Sequence, residues 1–201
     1  MAQELEMGRL LRAGTSAFVV GCRVSQLAAP AFGALVRAPL AGDIQVYGLI
    51  FDIHIEDDGL VRQLVTAETV SDEVLLDNRE RRVVPVELSV VVVGWEQAGK
   101  IHYQLPPRPP LSLDAIYLCG QDDLRKFTST GRLGYFRLIL HAPDVPVAEL
   151  LAAHMDQARS AHPVGDGWTE AAIEEIIALL RDDYPLLTSV LAALDQVVDR
   201  R

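Results

Sequence analysis

The feature that most constrains this chain is the run IQVYGLIFDIHI at residues 44–55, which is apolar at nearly every position. Alternate residues of a strand lie on opposite faces of the sheet. From Tyr47 onward the odd-numbered positions of the run are all apolar, whereas the even-numbered positions become polar from Asp52 onward. The run therefore predicts a strand that is buried on both faces at its start and on one face at its end, with Phe51, Ile53 and Ile55 towards the core.

Other short apolar runs, separated by turn residues, are also typical of strands. They are TSAFVVGCRV, FGALVRAP, VVPVELSVVVVGW, DAIYLCG and LGYFRLILH, the last at residues 133–141. Because no regular helical pattern lies between these runs, their order favours a barrel or a sandwich over a parallel α/β sheet.

The apolar period becomes helical after Pro143. Leu150, Leu151 and His154 follow the spacing that places side chains on one face of a helix. Residues 142–201 also hold 11 acidic and 4 basic side chains, so they contribute −7 to the formal net charge of −10. The sequence thus predicts a β domain over residues 1–141 and an acidic tail of two to three helices over residues 142–201.

Amphipathic helices must bury their apolar stripes against something. The stripes can pack on the chain's own barrel or form a surface for another subunit or partner, and the sequence leaves both possibilities open. We expect Thr169 to cap one of these helices. The predicted partner interface consists of Leu150, Leu151, His154, Ile173, Ile176, Ile177, Leu180, Leu187, Leu191 and Leu194.

Asp52, His54 and Glu56 occupy alternate positions at the end of the long strand, so they share one face. Carboxylate and imidazole groups are metal ligands and acid–base groups. Neighbours in such a row are about 6.6 Å apart along the strand, however, and do not converge on one ion without ligands from elsewhere. The pattern is typical of a solvent-facing strand end. The alternative is a metal-dependent hydrolase that also uses carboxylates such as Asp122 and Asp123.

Several function classes lack their motifs in this sequence. The Gly99-Lys100 pair is followed by Ile101, so no phosphate-binding P-loop is present, and no Gly-x-Ser-x-Gly, His-Glu-x-x-His or Gly-x-Gly-x-x-Gly occurs. We therefore predict no cofactor and no catalytic residues. His162, before Pro163 in a loop, is assigned no role.

The charge distribution disfavours direct nucleic-acid binding, because Glu80 interrupts the basic run at residues 79–82. Binding would require that run to converge with Arg9, Arg12, Arg23 and Arg37. No apolar stretch reaches the roughly 18 residues of a membrane span, and no secretory leader opens the chain. Two cysteines give no disulfide framework. These features predict a cytoplasmic protein that binds neither membrane nor nucleic acid.

The order of the first strands resembles the HAS barrel, the small β-barrel of HerA-type DNA-translocating ATPases and of ATP synthase head subunits. The resemblance is carried by MGRLLRAGTSAFVVGCRV with Gly8, by GALVRAP, and by DIQVYGLIFDIHI with Val46 to Ile50. It covers roughly residues 7–140 and also includes the Pro-rich LPPRPPLSLDAIYLC segment.

The resemblance implies a small closed barrel with a role in ring assembly and in docking the partner nuclease NurA. It implies no ATP hydrolysis, because the chain has no Walker A loop to carry the motor's residues. We therefore expect a non-enzymatic oligomerisation or partner-docking module, an accessory subunit to a NurA-like nuclease or DNA translocase in DNA processing and repair.

Overall fold

The computed structural model describes residues 5–25, 30–55 and 83–198, together with residues 66 and 71. The strands in this part are β1 (Leu5–Ala13), β2 (Ala17–Ser25), β3 (Leu35–Leu40), β4 (Ile44–Ile55), β5 (Val83–Gln97), β6 (Lys100–His102) and β7 (Ala115–Leu118). The helices are α1 (Gln121–Thr128), α2 (Phe136–Leu140), α3 (Val147–Ala161), α4 (Trp168–Leu179) and α5 (Tyr184–Val198).

Six of the described strands close into an antiparallel β-barrel. Their order around the barrel is β1, β2, β5, β4, β3 and β7, and β7 pairs with β1. The closing pair is β2 with β5, which runs from Ala17 opposite Val91 to Ser25 opposite Val83. The short strand β6 forms a hairpin with the far end of β5. The predicted architecture, a closed barrel followed by about three helices, is confirmed.

The interior of the barrel is filled by side chains. Every second residue of the strands points inward, and these residues form a cluster that we call the barrel core. Its members are Met7, Leu10, Phe18, Val20, Cys22, Ala34, Val36, Ala38, Ile44, Val46, Ile50, Val86, Leu88, Val90, Val92 and Ile116.

The helices pack against the outside of the barrel, over β3, β4 and β5. Outward-facing Leu35, Tyr47, Leu49, Val91 and Val93 join the buried residues of α1 to α5 in a second cluster, the helix core. Strands β4 and β5 are therefore buried on both faces along much of their length, which explains why their sequences are almost continuously apolar.

A β-bulge changes the end of β4. Ile50 lies opposite Val90 and Asp52 lies opposite Ser89, so Phe51 is an extra residue in the ladder. Phe51 packs on the helix core, Ile53 packs on the barrel core, and Ile55 is 43% exposed. The prediction that the last three odd-numbered residues share one face was wrong, because the bulge reverses the alternation.

The predicted strand at residues 133–141 is wrong as well. The structure has the short helix α2 there, and its buried Phe136 and Ile139 are three positions apart, on the side that meets the helix core. Short apolar runs fit either a strand or a buried helix, so periodicity alone does not separate them.

Two glycines allow very close approaches between strands. A Cβ atom on Gly8 would lie 2.4 Å from the carbonyl oxygen of Gly21, and one on Gly48 would lie 2.4 Å from Cγ1 of Val90. Both glycines occur where the strand register shifts. A larger residue at either position would force the neighbouring atoms to shift.

Candidate functional site

The structure does not gather the described acids and histidine of the proposed hydrolase into a metal site. Asp52 and His54 are exposed at the end of β4, opposite Ser89 and Glu87, while Glu56 lies outside the described residues. Among the residues that the structure describes, no group of three His, Cys, Asp or Glu side chains is placed to hold a metal ion.

Asp122 and Asp123 lie in the first turn of α1, where carboxylates are favoured by the positive end of the helix dipole. Asp123 Oδ2 is 3.8 Å from Nε of Arg37. Their position is explained by the helix and by this contact.

The cysteine thiols are held in their protonated form. Cys22 is buried in the barrel, where its Sγ lies 3.6 Å from the carbonyl oxygen of Val86, and burial raises its pKa. Burial also raises the pKa of Cys119, and nearby Asp123 adds to the effect. A nucleophilic cysteine requires the opposite shift.

The described arginines of the hypothetical nucleic-acid surface have carboxylate partners. Arg9 lies 2.8 Å from Glu6, and Arg12 lies 3.7 Å from Glu87. Arg37 pairs with Asp123 and lies over the ring of Tyr117. The side chain of Arg23 and residues 79–82 fall outside the described part of the chain.

A polar bridge connects the barrel to α1. Tyr47 donates a hydrogen bond of 2.9 Å to Oε2 of Glu96, and Lys126 donates one of 2.5 Å to Oε1. Burial opposes the charged form of Glu96, but the hydrogen bonds from Lys126 and Tyr47 outweigh it and lower the pKa of this carboxyl. Both oxygens of the buried carboxylate are satisfied, so the bridge orients α1 on the barrel.

His154, one of the predicted interface residues, is fully buried inside the chain. Its Nδ1–H donates to the carbonyl oxygen of Gly33 at 3.3 Å, and its Nε2 accepts from the hydroxyl of Tyr135 at 3.0 Å. Burial lowers the pKa of His154 to about 4. The neutral imidazole thus joins α3 to the loop before β3.

This buried histidine predicts a loss of stability in mild acid. The pKa of a histidine is about 6.5 in the unfolded chain and about 4 in the fold, so unfolding takes up a proton between these values. The stabilisation is complete above pH 6.5 and decreases as the pH falls towards 4, by a total on the order of 3 kcal/mol. Denaturant titrations at several pH values measure the slope. His154→Gln should be less stable at neutral pH and should lose most of this pH dependence, whereas an unchanged slope would contradict the assignment.

A hydroxyl, an imidazole and a carboxylate are connected near the start of α4. Oγ1 of Thr128 lies 2.7 Å from Nε2 of His162, and Nδ1 of His162 lies 2.9 Å from Oδ2 of Asp166. The order resembles a hydrolase triad. A nucleophile must be reachable, however, and Thr128 is 1% exposed with its hydroxyl 2.8 Å from the carbonyl oxygen of Leu124. The network therefore connects α1 to the segment before α4, with the threonine side chain almost fully buried.

Sequence reasoning missed this network. His162 also stacks on the ring of Trp168, with centroids 4.7 Å apart, and Oδ1 of Asp166 accepts from the Trp168 backbone N–H at 2.9 Å. The helix begins at Trp168, one residue before the predicted cap Thr169, so that prediction was wrong. Two features of the sequence could have indicated the network. Asp166-Gly167 lies directly before the apolar helix, and Asp166 follows His162 by four residues.

The predicted interface residues fall into two groups. Leu150, Leu151, His154, Ile176, Leu180 and Leu194 are buried within the chain's own helix core. Ile173 and Leu187 are partly buried, Ile177 is 44% exposed and Leu191 is 37% exposed. A partner can contact only the second group without rearranging the fold, and the interface itself stays a prediction.

Helix α4 carries more apolar surface than its own fold covers. Its buried residues Trp168, Ala172 and Ile176 follow a spacing of four and end at Leu180, which makes a single narrow stripe. Next to this stripe lies a second apolar row that includes Ile177. Over residues 168–198 the sequence has six acidic side chains and one basic side chain.

An open cleft of about 630 Å³ lies beside α4. It separates the helix from the α1–α2 loop and is lined by Arg132, Asp166, Glu174 and Glu175 among others. The charged residues of its lining are three acids and one arginine, and the other lining residues are uncharged or apolar apart from His162.

No helix in the described part of the chain is both long and apolar enough to cross a membrane. No protein-family model matches the chain, and no curated protein matches it.

Proposed function

We propose that this chain is a non-enzymatic module that docks a protein partner or assembles with itself. The observation that carries the proposal is the partly exposed apolar row of α4, in which Ile177 is 44% exposed next to the buried stripe of the same helix. Apolar residues on two sides of a surface helix are typical of a helix that is covered on both sides in its functional assembly.

The remaining chemistry supports docking over catalysis. The barrel is filled by its own side chains, and burial raises the pKa of both thiols. Thr128, whose hydroxyl lies next to His162, is 1% exposed. Each polar cluster described above joins two elements of the fold, which is a structural role.

The resemblance of residues 7–140 to the HAS barrel suggests the kind of partner. We propose an accessory subunit to a NurA-like nuclease or to a DNA translocase, acting in the cytoplasm in DNA processing. The barrel would take part in ring assembly or partner docking, as it does in the proteins it resembles.

Co-purification and light scattering test the proposal. The chain is expressed alone and together with a NurA-like nuclease or a HerA-like translocase from the same genome, and the products are separated by size-exclusion chromatography. We expect either a self-assembled oligomer or a complex of fixed stoichiometry. A species with the mass of one chain that co-purifies with neither protein would argue against docking.

Metal titration tests the hydrolase alternative. A ligand that binds only the folded state raises the melting temperature, by an amount that grows with its concentration. We expect no rise in the melting temperature with saturating Mn²⁺ or Zn²⁺. A concentration-dependent rise that Asp52→Asn and His54→Ala abolish would instead support the hydrolase.

A further inference from the structure

Two isoleucines form the partly exposed row of α4. Ile173 and Ile177 are one helical turn apart, so their side chains are neighbours along the helix surface. Ile173 is partly buried against the helix core, and Ile177 is 44% exposed. We call this pair the isoleucine edge.

A row of carboxylates runs alongside the isoleucine edge. Glu170 lies three positions before Ile173, and Glu174 lies three positions before Ile177, so each acid is next to one isoleucine on the helix surface. Neither acid forms an ion pair with any residue that the structure describes. The open cleft borders the other side of this row, since Glu174 lines it together with Ala171 and Ala178.

The charge around the isoleucine edge argues against a second copy as its cover. Glu170 and Glu174 flank the edge without an ion-pair partner among the described residues, so a second copy seated on it would bring like charges together. A basic partner gains attraction where a second copy meets repulsion.

We infer that the isoleucine edge binds a basic amphipathic helix of another protein, an inference that rests on the proposed docking function. The apolar stripe of the partner helix covers Ile173 and Ile177, as in other helix-in-groove complexes. Its Lys or Arg side chains pair with Glu170 and Glu174, and the cleft beside Glu174 has room for one of these long side chains.

Two labelled peptides test the inference against the full chain by fluorescence anisotropy. The first is a helix of about 18 residues with leucines at helical spacing and lysines on both flanks, and the second has glutamates in place of the lysines. We expect saturable binding of the lysine peptide that weakens at least about tenfold between low salt and about 0.5 M salt. Equal binding of the glutamate peptide would overturn the charge assignment.

Substitutions locate the binding surface. Ile177→Glu and Glu174→Lys should each weaken binding of the lysine peptide by about tenfold or more. Two matched controls should change the Kd less than about twofold. Leu105→Glu replaces a side chain of nearly equal exposure (45%), and Glu149→Lys replaces an exposed acid in the first turn of α3. Glu174→Lys introduces only a surface charge and keeps the test valid if Ile177→Glu fails to fold.

The results separate two kinds of failure. Unchanged peptide binding in both α4 variants overturns the inference. A wild-type dimer that Ile177→Glu dissociates also overturns it, because a second copy of the chain then covers the isoleucine edge. A co-purified partner complex that survives both substitutions also overturns the inference but leaves the proposed docking function standing. A wild-type chain that stays a monomer and co-purifies with neither candidate overturns the proposed function.

Discussion

Replacing Phe127 with alanine is expected to lower the free energy of unfolding by about 3–5 kcal/mol, the cost of removing a large buried ring. Phe127 is fully buried in α1, and its ring lies 4.8 Å from that of Tyr47, 5.3 Å from that of Tyr103 and 5.1 Å from that of Tyr135. It therefore joins the outer face of β4 to the helix core. Urea denaturation followed by far-UV circular dichroism measures the loss.

Phe127→Leu is the matched control, because it keeps an apolar side chain and leaves a smaller cavity. Its loss of stability should be clearly smaller. The barrel and the helices share β4 and β5, so tyrosine fluorescence and circular dichroism should report a single transition in both variants. A loss below about 1 kcal/mol for Phe127→Ala would show that the aromatic cluster does not hold the helices on the barrel.

Replacing Gly8 with alanine is expected to destabilise the barrel by about 3 kcal/mol or more, through overpacking. The new Cβ would lie 2.4 Å from the carbonyl oxygen of Gly21 and 2.8 Å from Cβ of Cys22. The closest atom belongs to the backbone of β2, so no side-chain rotation relieves the clash and β1 must move away from β2. Thermal and urea unfolding measure the effect.

Gly14→Ala is the control for Gly8→Ala, since it changes a glycine directly after the same strand. The nearest atom to its new Cβ is the carbonyl oxygen of Ala17 at 3.5 Å, an ordinary contact. We expect a change of less than about 1 kcal/mol. Equal stability of the two variants would mean that β1 and β2 can separate at Gly8 without cost.

The sequence predicted the strands of the barrel better than it predicted the contacts between them. The apolar run of β4 correctly indicated burial on both faces, because each face meets a different core. The bulge at Phe51 has no comparable signal, since it depends on how β4 fits against β5. Pairing of β2 with β5 likewise joins residues that are 58 to 74 positions apart in the sequence, which local periodicity does not record.

The sequence also did not show which of the predicted interface residues are buried in the chain's own core. Helical spacing placed Ile176 and Ile177 together in the predicted interface. Only the fold shows that Ile176 is buried and that Ile177 is 44% exposed. His154 was predicted as a packing or interface residue because it lies on an apolar helical stripe. Its partners, Gly33 and Tyr135, come from other parts of the chain.

Closure of the barrel also determines how another protein can recognise this one. Each barrel strand has a neighbour on both sides, and among the described strands only β6, three residues long, ends the sheet. An incoming peptide therefore finds little free backbone to which it could add a strand. On the described part of the barrel, the proposed docking would therefore rest on side chains, which single substitutions change without altering the backbone.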